Sequence, residues 1–231
     1  MRSIHDNLQA VRERVARAAQ AAGRAPDAVA LLAVSKTHPA TRVKEVLDAG
    51  QRMLGENYVQ EAVEKMDALA GMGMPSPEWH LIGPLQSNKT RVVAERFDWV
   101  QSVESEKIAR RLSGQRSGTL PPLNVLLQVN VSGEASKSGV APADVPALAD
   151  AVAALPRLRL RGLMAIPEPG APRERYRELK ALFDRLRPGP HWDTLSVGMS
   201  DDLEAAVAEG STMVRIGTAI FGARATPEAA A

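Results

Sequence analysis

The chain has 231 residues, 45% of them hydrophobic but only 3% aromatic, with a formal net charge of +2. That length suits one large α/β domain or two small ones, with a core built mainly from Ala, Val and Leu. The lack of cysteine excludes disulfides and thiolate metal sites; His5, His38, His80 and His191 have no metal-ligand spacing, and no dense Lys/Arg run points to nucleic acid.

No apolar run reaches transmembrane length, and the N-terminus opens an amphipathic helix rather than a signal peptide. A soluble cytoplasmic protein is expected. Ser3 caps a helix to about Ala22, with Ile4, Leu8, Val11, Val15, Ala18 and Ala22 on one face, and Gly23 stops it. Residues 28–36 then read Ala-Val-Ala-Leu-Leu-Ala-Val-Ser-Lys, the unalternating pattern of a strand buried on both faces of a parallel sheet. Lys36 ends it, and Pro39 opens a helix that closes before Gly50. A second strand at 52–55 leads through Glu56-Asn57-Tyr58 into a helix to about Leu69.

The same alternation continues. A third strand at 79–82 precedes a helix starting at Ser87 or Asn88, and a fourth at 99–102 precedes one starting at Ser105. The fifth, at 123–129, is followed by a polar loop and a helix from about Ala143. The sixth, at 158–164, has a solvated lead-in of arginines and precedes a helix over 173–186. The seventh, at 194–197, feeds a helix from Ser200 to about Ala208. The eighth, at 212–216, feeds a short helix from Thr218.

Eight strands, each trailed by a helix, predict a closed (β/α)8 TIM-type barrel with an extra N-terminal helix, a single domain over residues 1–231. An open doubly wound sheet is the alternative, but no Gly-rich turn follows the first strand. Barrel closure places function at the C-terminal strand ends, where Lys36, Asn57, Gly83, Ser200 and Gly217 all fall.

A part-buried lysine loses proton affinity, and its neutral amine attacks aldehydes; the plainer reading of Lys36 is an ammonium that snorkels to the surface. Gly198-Met199-Ser200 and Gly217-Thr218 follow the last two strands, where barrels hold phosphate on backbone amides and hydroxyls. Ser200 also reads as a helix cap, with Asp201 and Asp202 in the first turn; those carboxylates would repel an anion unless they turn away. Alternation puts Val214 and Ile216 toward the helices and Arg215 inside the barrel, where it needs a partner: Glu56, Asp193 or a ligand. Together these features describe a pyridoxal 5′-phosphate (PLP) site. Lys36 would hold the aldehyde carbon as an aldimine, Ser200, Gly217 and Thr218 the phosphate, and Arg215 the pyridine nitrogen. Asn57 reads equally as a helix cap or as a contact to the ring or its 3-hydroxyl. His80 reads as a hydrogen-bonded core histidine, and Met164 as core filler.

Ala33-Val-Ser-Lys-Thr37, Gly55-Glu-Asn-Tyr-Val-Gln-Glu61, Trp79-His-Leu-Ile-Gly83 with Leu85-Gln-Ser-Asn-Lys89, Gly162-Leu-Met164, Gly198-Met-Ser-Asp201 and Val214-Arg-Ile-Gly-Thr-Ala-Ile-Phe-Gly222 resemble the pyridoxal phosphate homeostasis protein family. That family is similar to the N-terminal barrel of alanine racemase. The resemblance implies PLP on Lys36 and a role in storing or delivering this vitamin B6 cofactor, without an established reaction. It departs at Gly83-Pro84, where Gly-His is usual, and at Val197, where Met is common. The alternative is a PLP-dependent amino-acid racemase or a related carbanion enzyme, and a third reading is a Schiff-base aldolase without cofactor. Racemisation needs a second acid/base, which alanine racemase takes from an added β-domain expected to be absent after Gly222. Of Tyr58 and Tyr176, only Tyr58 falls near a strand's C-terminal end. The expected partners are PLP and, transiently, PLP-dependent apoenzymes, with no nucleic acid or membrane; a monomer is expected.

Overall fold

The computed structural model describes residues 3–133 and 138–222. Helix α1 (Ile4–Ala21) starts with a capping box: Ser3 Oγ accepts from the Asp6 amide, and the Asp6 carboxylate accepts from the Ser3 amide. Strands and helices then alternate as β1 (Ala30–Val34), α2 (Ala40–Asp48), β2 (Met53–Glu56), α3 (Val59–Gly71), β3 (Glu78–Leu81), α4 (Thr90–Arg96), β4 (Trp99–Val103) and α5 (Glu106–Gln115). The second half continues with β5 (Leu123–Val129), α6 (Val145–Ala153), β6 (Leu158–Ala165), α7 (Arg173–Arg185), β7 (Thr194–Ser196), α8 (Leu203–Ala208), β8 (Met213–Ile216) and α9 (Thr218–Phe221). Among the described residues eight parallel strands pair in chain order, and β8 closes on β1 with Leu32 opposite Arg215. The sheet is a closed barrel rather than an open doubly wound one.

Alternation along each strand divides two cores. Outward residues such as Leu54, Leu81, Leu127, Leu163 and Val214 join the helices in one large cluster. The barrel interior holds two smaller ones, Leu32, Val34, Ile82 and Met213 on one side and Trp99, Leu126 and Met164 on the other. Helix α1 packs across α8 and α9, the helices after the last two strands. Asn7 donates to the Ile220 carbonyl at 3.0 Å, and Arg14 reaches Glu204 with two 2.6 Å bonds.

Two crossover boundaries differ from expectation. The helix after β7 starts at Leu203 with Asp202 as its cap residue, leaving Ser200 in a preceding turn. The third crossover opens with a 3-10 turn over Ser87–Lys89 before α4. Arg159 and Arg161 lie inside β6, within the expected strand, but Arg161 is not simply solvated: it meets the Asp193 carboxylate at 2.7 and 2.9 Å and the Trp99 ring at 4.7 Å. No helix among the described residues is long and apolar enough to cross a membrane.

Candidate functional site

At the C-terminal mouth of the barrel lies a cavity of about 220 Å3 lined by Lys36, Asn57, Ser200, Arg215, Gly217 and Thr218. All six residues selected from the sequence meet there, although they come from strands at opposite ends of the chain. Val34, Ile82, Ile166, Met199 and Asp201 complete the walls. A second space of about 320 Å3 adjoins it, sharing Asn57, Ile82, Ile166 and Met199, and extends past Pro84, Gln128 and Pro169. Ile166 and Met199, 42% and 38% exposed, form an apolar lip that sequence reasoning missed. Their signal was an apolar residue just beyond a strand end, which a core residue also gives.

Lys36 is held from both sides by charges on the outer face of the barrel. Alternation along β2 turns Leu54 and Glu56 toward the helices. Glu56 Oε1 accepts from Ser35 Oγ at 2.5 Å and from Lys65 Nζ at 2.7 Å. Lys65 Nζ also donates to the Ser35 carbonyl at 2.7 Å and to Glu61 Oε1 at 2.6 Å. The same Glu61 oxygen accepts from the Thr37 amide at 2.5 Å. Residues 35 and 37 are thus tied to one ionic cluster, which supports Thr37 in a left-handed conformation at φ 66°. For a β-branched residue that conformation costs on the order of 1–3 kcal/mol. Burial pushes the Glu56 carboxyl above its ordinary range against the pull of Lys65, and its Oε2 is buried without a hydrogen-bond partner.

The opposite wall is shaped by glycine and by neutral donors. Gly198 sits at φ 105°, and a Cβ there would approach Ala206 Cβ to 2.7 Å, so a side chain is excluded twice over. Asp202 then folds the loop: its Oδ1 accepts from the Met199 amide at 2.5 Å and its Oδ2 from the Tyr176 hydroxyl at 2.6 Å. The Asp202 carboxylate, which could have repelled an anion, is occupied by these donors, while exposed Asp201 stays on the lining. Burial, then this hydrogen bond, pushes the Tyr176 phenol up, so it remains a donor. Ser200 is not a cap, which leaves its hydroxyl without that duty. Gly217 brings β8 against β1, since a Cβ there would stand 3.1 Å from the Val34 carbonyl oxygen.

Arg215 is buried, and neither suggested counter-ion reaches it. Glu56 points outward to Lys65, and Asp193 is engaged by Arg161. Instead Nη1 donates to the carbonyl and hydroxyl oxygens of Ser196, both at 2.8 Å, and Nη2 donates to the Ala165 carbonyl at 2.8 Å. Burial pushes its guanidinium down to about 10. A buried cation whose hydrogen bonds among the described residues go to neutral oxygens favours an electron-rich ligand beside it, and part of its five-donor set is left over.

Asn57 Oδ1 is likewise buried without a hydrogen-bond partner. Its cap reading fails, because the cap position of α3 belongs to Tyr58 and carries no side-chain bond. Gly83 lies so close to the Asn57 backbone that a Cβ would collide with it. Tyr58, 57% exposed, is not on the lining. His80 and Met164 are buried in the barrel interior, as read. Of the two departures from the family pattern, Pro84 lines the adjoining space and Val197 is buried in the outer core.

A barrel with a strand-end lysine beside an inward arginine defines a class, and residues 7–225 match the family model described as alanine racemase, N-terminal domain. The chain is 56% identical over 229 residues to the pyridoxal phosphate homeostasis protein of Escherichia coli strain K12, covering 97% of this chain and 98% of that protein. It is 60% identical over 228 residues to the pyridoxal phosphate homeostasis protein of Pseudomonas aeruginosa, covering 97% of each. PipY of Synechococcus elongatus, solved with PLP bound, superposes with a TM-score of 0.79 at 35% identity, over 95% of this chain and 100% of that one. The chain belongs to the pyridoxal phosphate homeostasis protein family.

Proposed function

We propose that this protein binds PLP in the 220 Å3 cavity and serves to store and deliver it, keeping its free aldehyde scarce. The observation that carries this reading is the meeting of Lys36 with Arg215, a buried cation without a carboxylate hydrogen-bond partner among the described residues, across one cavity. Bound PLP supplies an aldehyde that condenses reversibly with a primary amine. Lys36 offers that amine. Ser200, Gly217 and Thr218 hold the phosphate through hydroxyls and backbone amides, and Asn57 Oδ1 is an acceptor for the ring hydroxyl.

Arg215 donates to the ring nitrogen and thereby keeps a proton off it, which weakens the ring as an electron sink. Among the described lining residues there is no tyrosine or histidine to act as a second acid/base. Both points favour a carrier over a racemase. The open lip at Ile166 and Met199 suits a cofactor that must leave, and transient contact with PLP-dependent apoenzymes belongs to the same reading. So do a single domain over 1–231, a monomer and a cytoplasmic location.

Borohydride reduction of protein loaded with PLP, followed by peptide mapping, is expected to label Lys36. Lys36→Ala should lose the visible absorption of bound cofactor while its circular dichroism stays unchanged. A label on another lysine would move the site. Incubation of the loaded protein with L- or D-alanine in deuterated water should exchange the α-proton barely faster than free PLP does. Rapid exchange that depends on Lys36 would replace the carrier with a racemase-type enzyme.

A further inference from the structure

Between the two apolar clusters inside the barrel runs a line of polar side chains that the site itself does not explain. It starts at Arg215, passes Ser196 on β7, Gln101 on β4 and His80 on β3, and ends at Glu78 at the start of β3. Ser196, Gln101 and His80 are buried, while the Glu78 side chain is 41% exposed at the far end of the barrel. The successive heavy-atom distances are 2.8, 2.7, 2.9 and 2.8 Å.

Counting donors gives this line one direction. Arg215 has no acceptor, so Ser196 Oγ must receive its hydrogen. The hydroxyl's own hydrogen then goes to Gln101 Oε1, which turns the Gln101 amide so that Nε2 faces His80 Nδ1. Nδ1 must therefore present a bare lone pair, and the ring proton sits on Nε2, donated to Glu78 Oε1. The reversed amide would take from the Ser196 hydroxyl its acceptor in this line and put Gln101 Oε1 against a bare Nδ1. The desolvated ring resists the second proton that would relieve this, since burial lowers its basicity. Stacking on Trp99 at 5.0 Å holds the imidazole plane, and Gln101 Nε2 also touches Met213 Sδ at 3.2 Å.

We propose that Gln101 is a positioning residue for the cofactor's ring: held in one orientation by the Nε2–H form of His80, it keeps Ser196 Oγ an acceptor and so fixes the Arg215 guanidinium toward the ring nitrogen. The second half of this statement rests on the PLP reading above, whereas the direction of the line does not.

The first test uses cofactor-free protein with 15N-labelled histidine, with His80→Phe assigning the signals. Near neutral pH, His80 is expected to show a bare Nδ1 and a protonated Nε2. In Gln101→Glu, whose carboxylate only accepts, the proton is expected on Nδ1. A wild-type ring protonated on Nδ1, or a ring indifferent to Gln101→Glu, would overturn the proposal. The second test compares the affinity of PLP with that of its analogue in which C–H replaces the ring nitrogen. Wild type should prefer PLP by about tenfold, the worth of one hydrogen bond, and Gln101→Leu should abolish that preference. Ser196→Ala makes the same prediction if Gln101→Leu does not fold. A preference that survives loss of the line overturns the positioning role. Wild type that binds neither compound refutes the PLP reading, and the labelled histidine still decides the direction of the line.

Discussion

The two walls of the cavity are built by different forces. On the β1–β2 side, Lys36 is located by a buried ionic cluster outside the barrel, where Lys65 and Glu61 bind the backbone on either side of it and Glu56 anchors both Lys65 and Ser35. On the β7–β8 side, the loops are shaped by glycines that admit close backbone approach, and by one carboxylate, Asp202, satisfied by a phenol and an amide. The first wall fixes one nucleophilic atom. The second presents a surface of hydroxyls and amides. Ion pairs in a dry environment are costly to break one partner at a time, whereas a hydrogen-bonded loop loses its members gradually. The lysine wall should fail abruptly and the glycine wall by degrees.

The largest effect should come from Lys65→Met. It strands Glu56 in a fully buried position, and removing one partner of such a pair costs about 3–5 kcal/mol. Urea denaturation should show the loss, and a second change, Glu56→Gln, should restore part of it by removing the orphaned charge. If Lys65→Met is as stable as wild type, the cluster does not hold the wall.

A smaller effect is expected across the cavity. Ser200→Ala with Thr218→Val should weaken PLP by about 1–3 kcal/mol, the worth of two hydrogen bonds to an anion, while leaving unphosphorylated pyridoxal nearly unchanged. Equal losses in a binding titration would place the phosphate elsewhere. The smallest change is Tyr176→Phe, which removes one donor from the half-buried Asp202 and leaves the Met199 amide on its other oxygen. Stability should fall by about 1 kcal/mol, with PLP affinity lowered less than in the double variant. A loss as large as that of Lys65→Met would erase the contrast between the walls.

Much of this site was legible one segment at a time. Lys36, Gly217 and Thr218 each close a buried apolar run, and a residue at that point of a parallel strand must emerge at the barrel mouth whatever surrounds it. The inward direction of Arg215 followed from alternation between Val214 and Ile216. Ser200 is singled out by its place after the seventh strand, against a competing cap reading that fails. It looked like a helix cap, but the helix starts at Leu203 because Asp202, three residues on from Met199, closes the turn. Asn57 could not be resolved from sequence because a cap and a ligand contact want the same side chain at the same strand end. Its buried, unpartnered Oδ1 excludes the cap.

By itself the sequence determined the alternation of strands and helices, the barrel count and the residues at the strand ends. These depend on periodicity and punctuation within about ten residues. Which charges meet was decided only in three dimensions. Glu56 is a candidate partner for Arg215 by sequence, but β2 turns it outward, where α3 supplies Lys65 nine residues later. Arg215 is left to the oxygens of Ser196 and Ala165, 19 and 50 residues away in sequence. The line from Ser196 through Gln101 to His80 joins three strands that no local pattern relates. Its members lie on one seam only because the barrel closes, and closure turns the inward residue of every strand toward a shared axis.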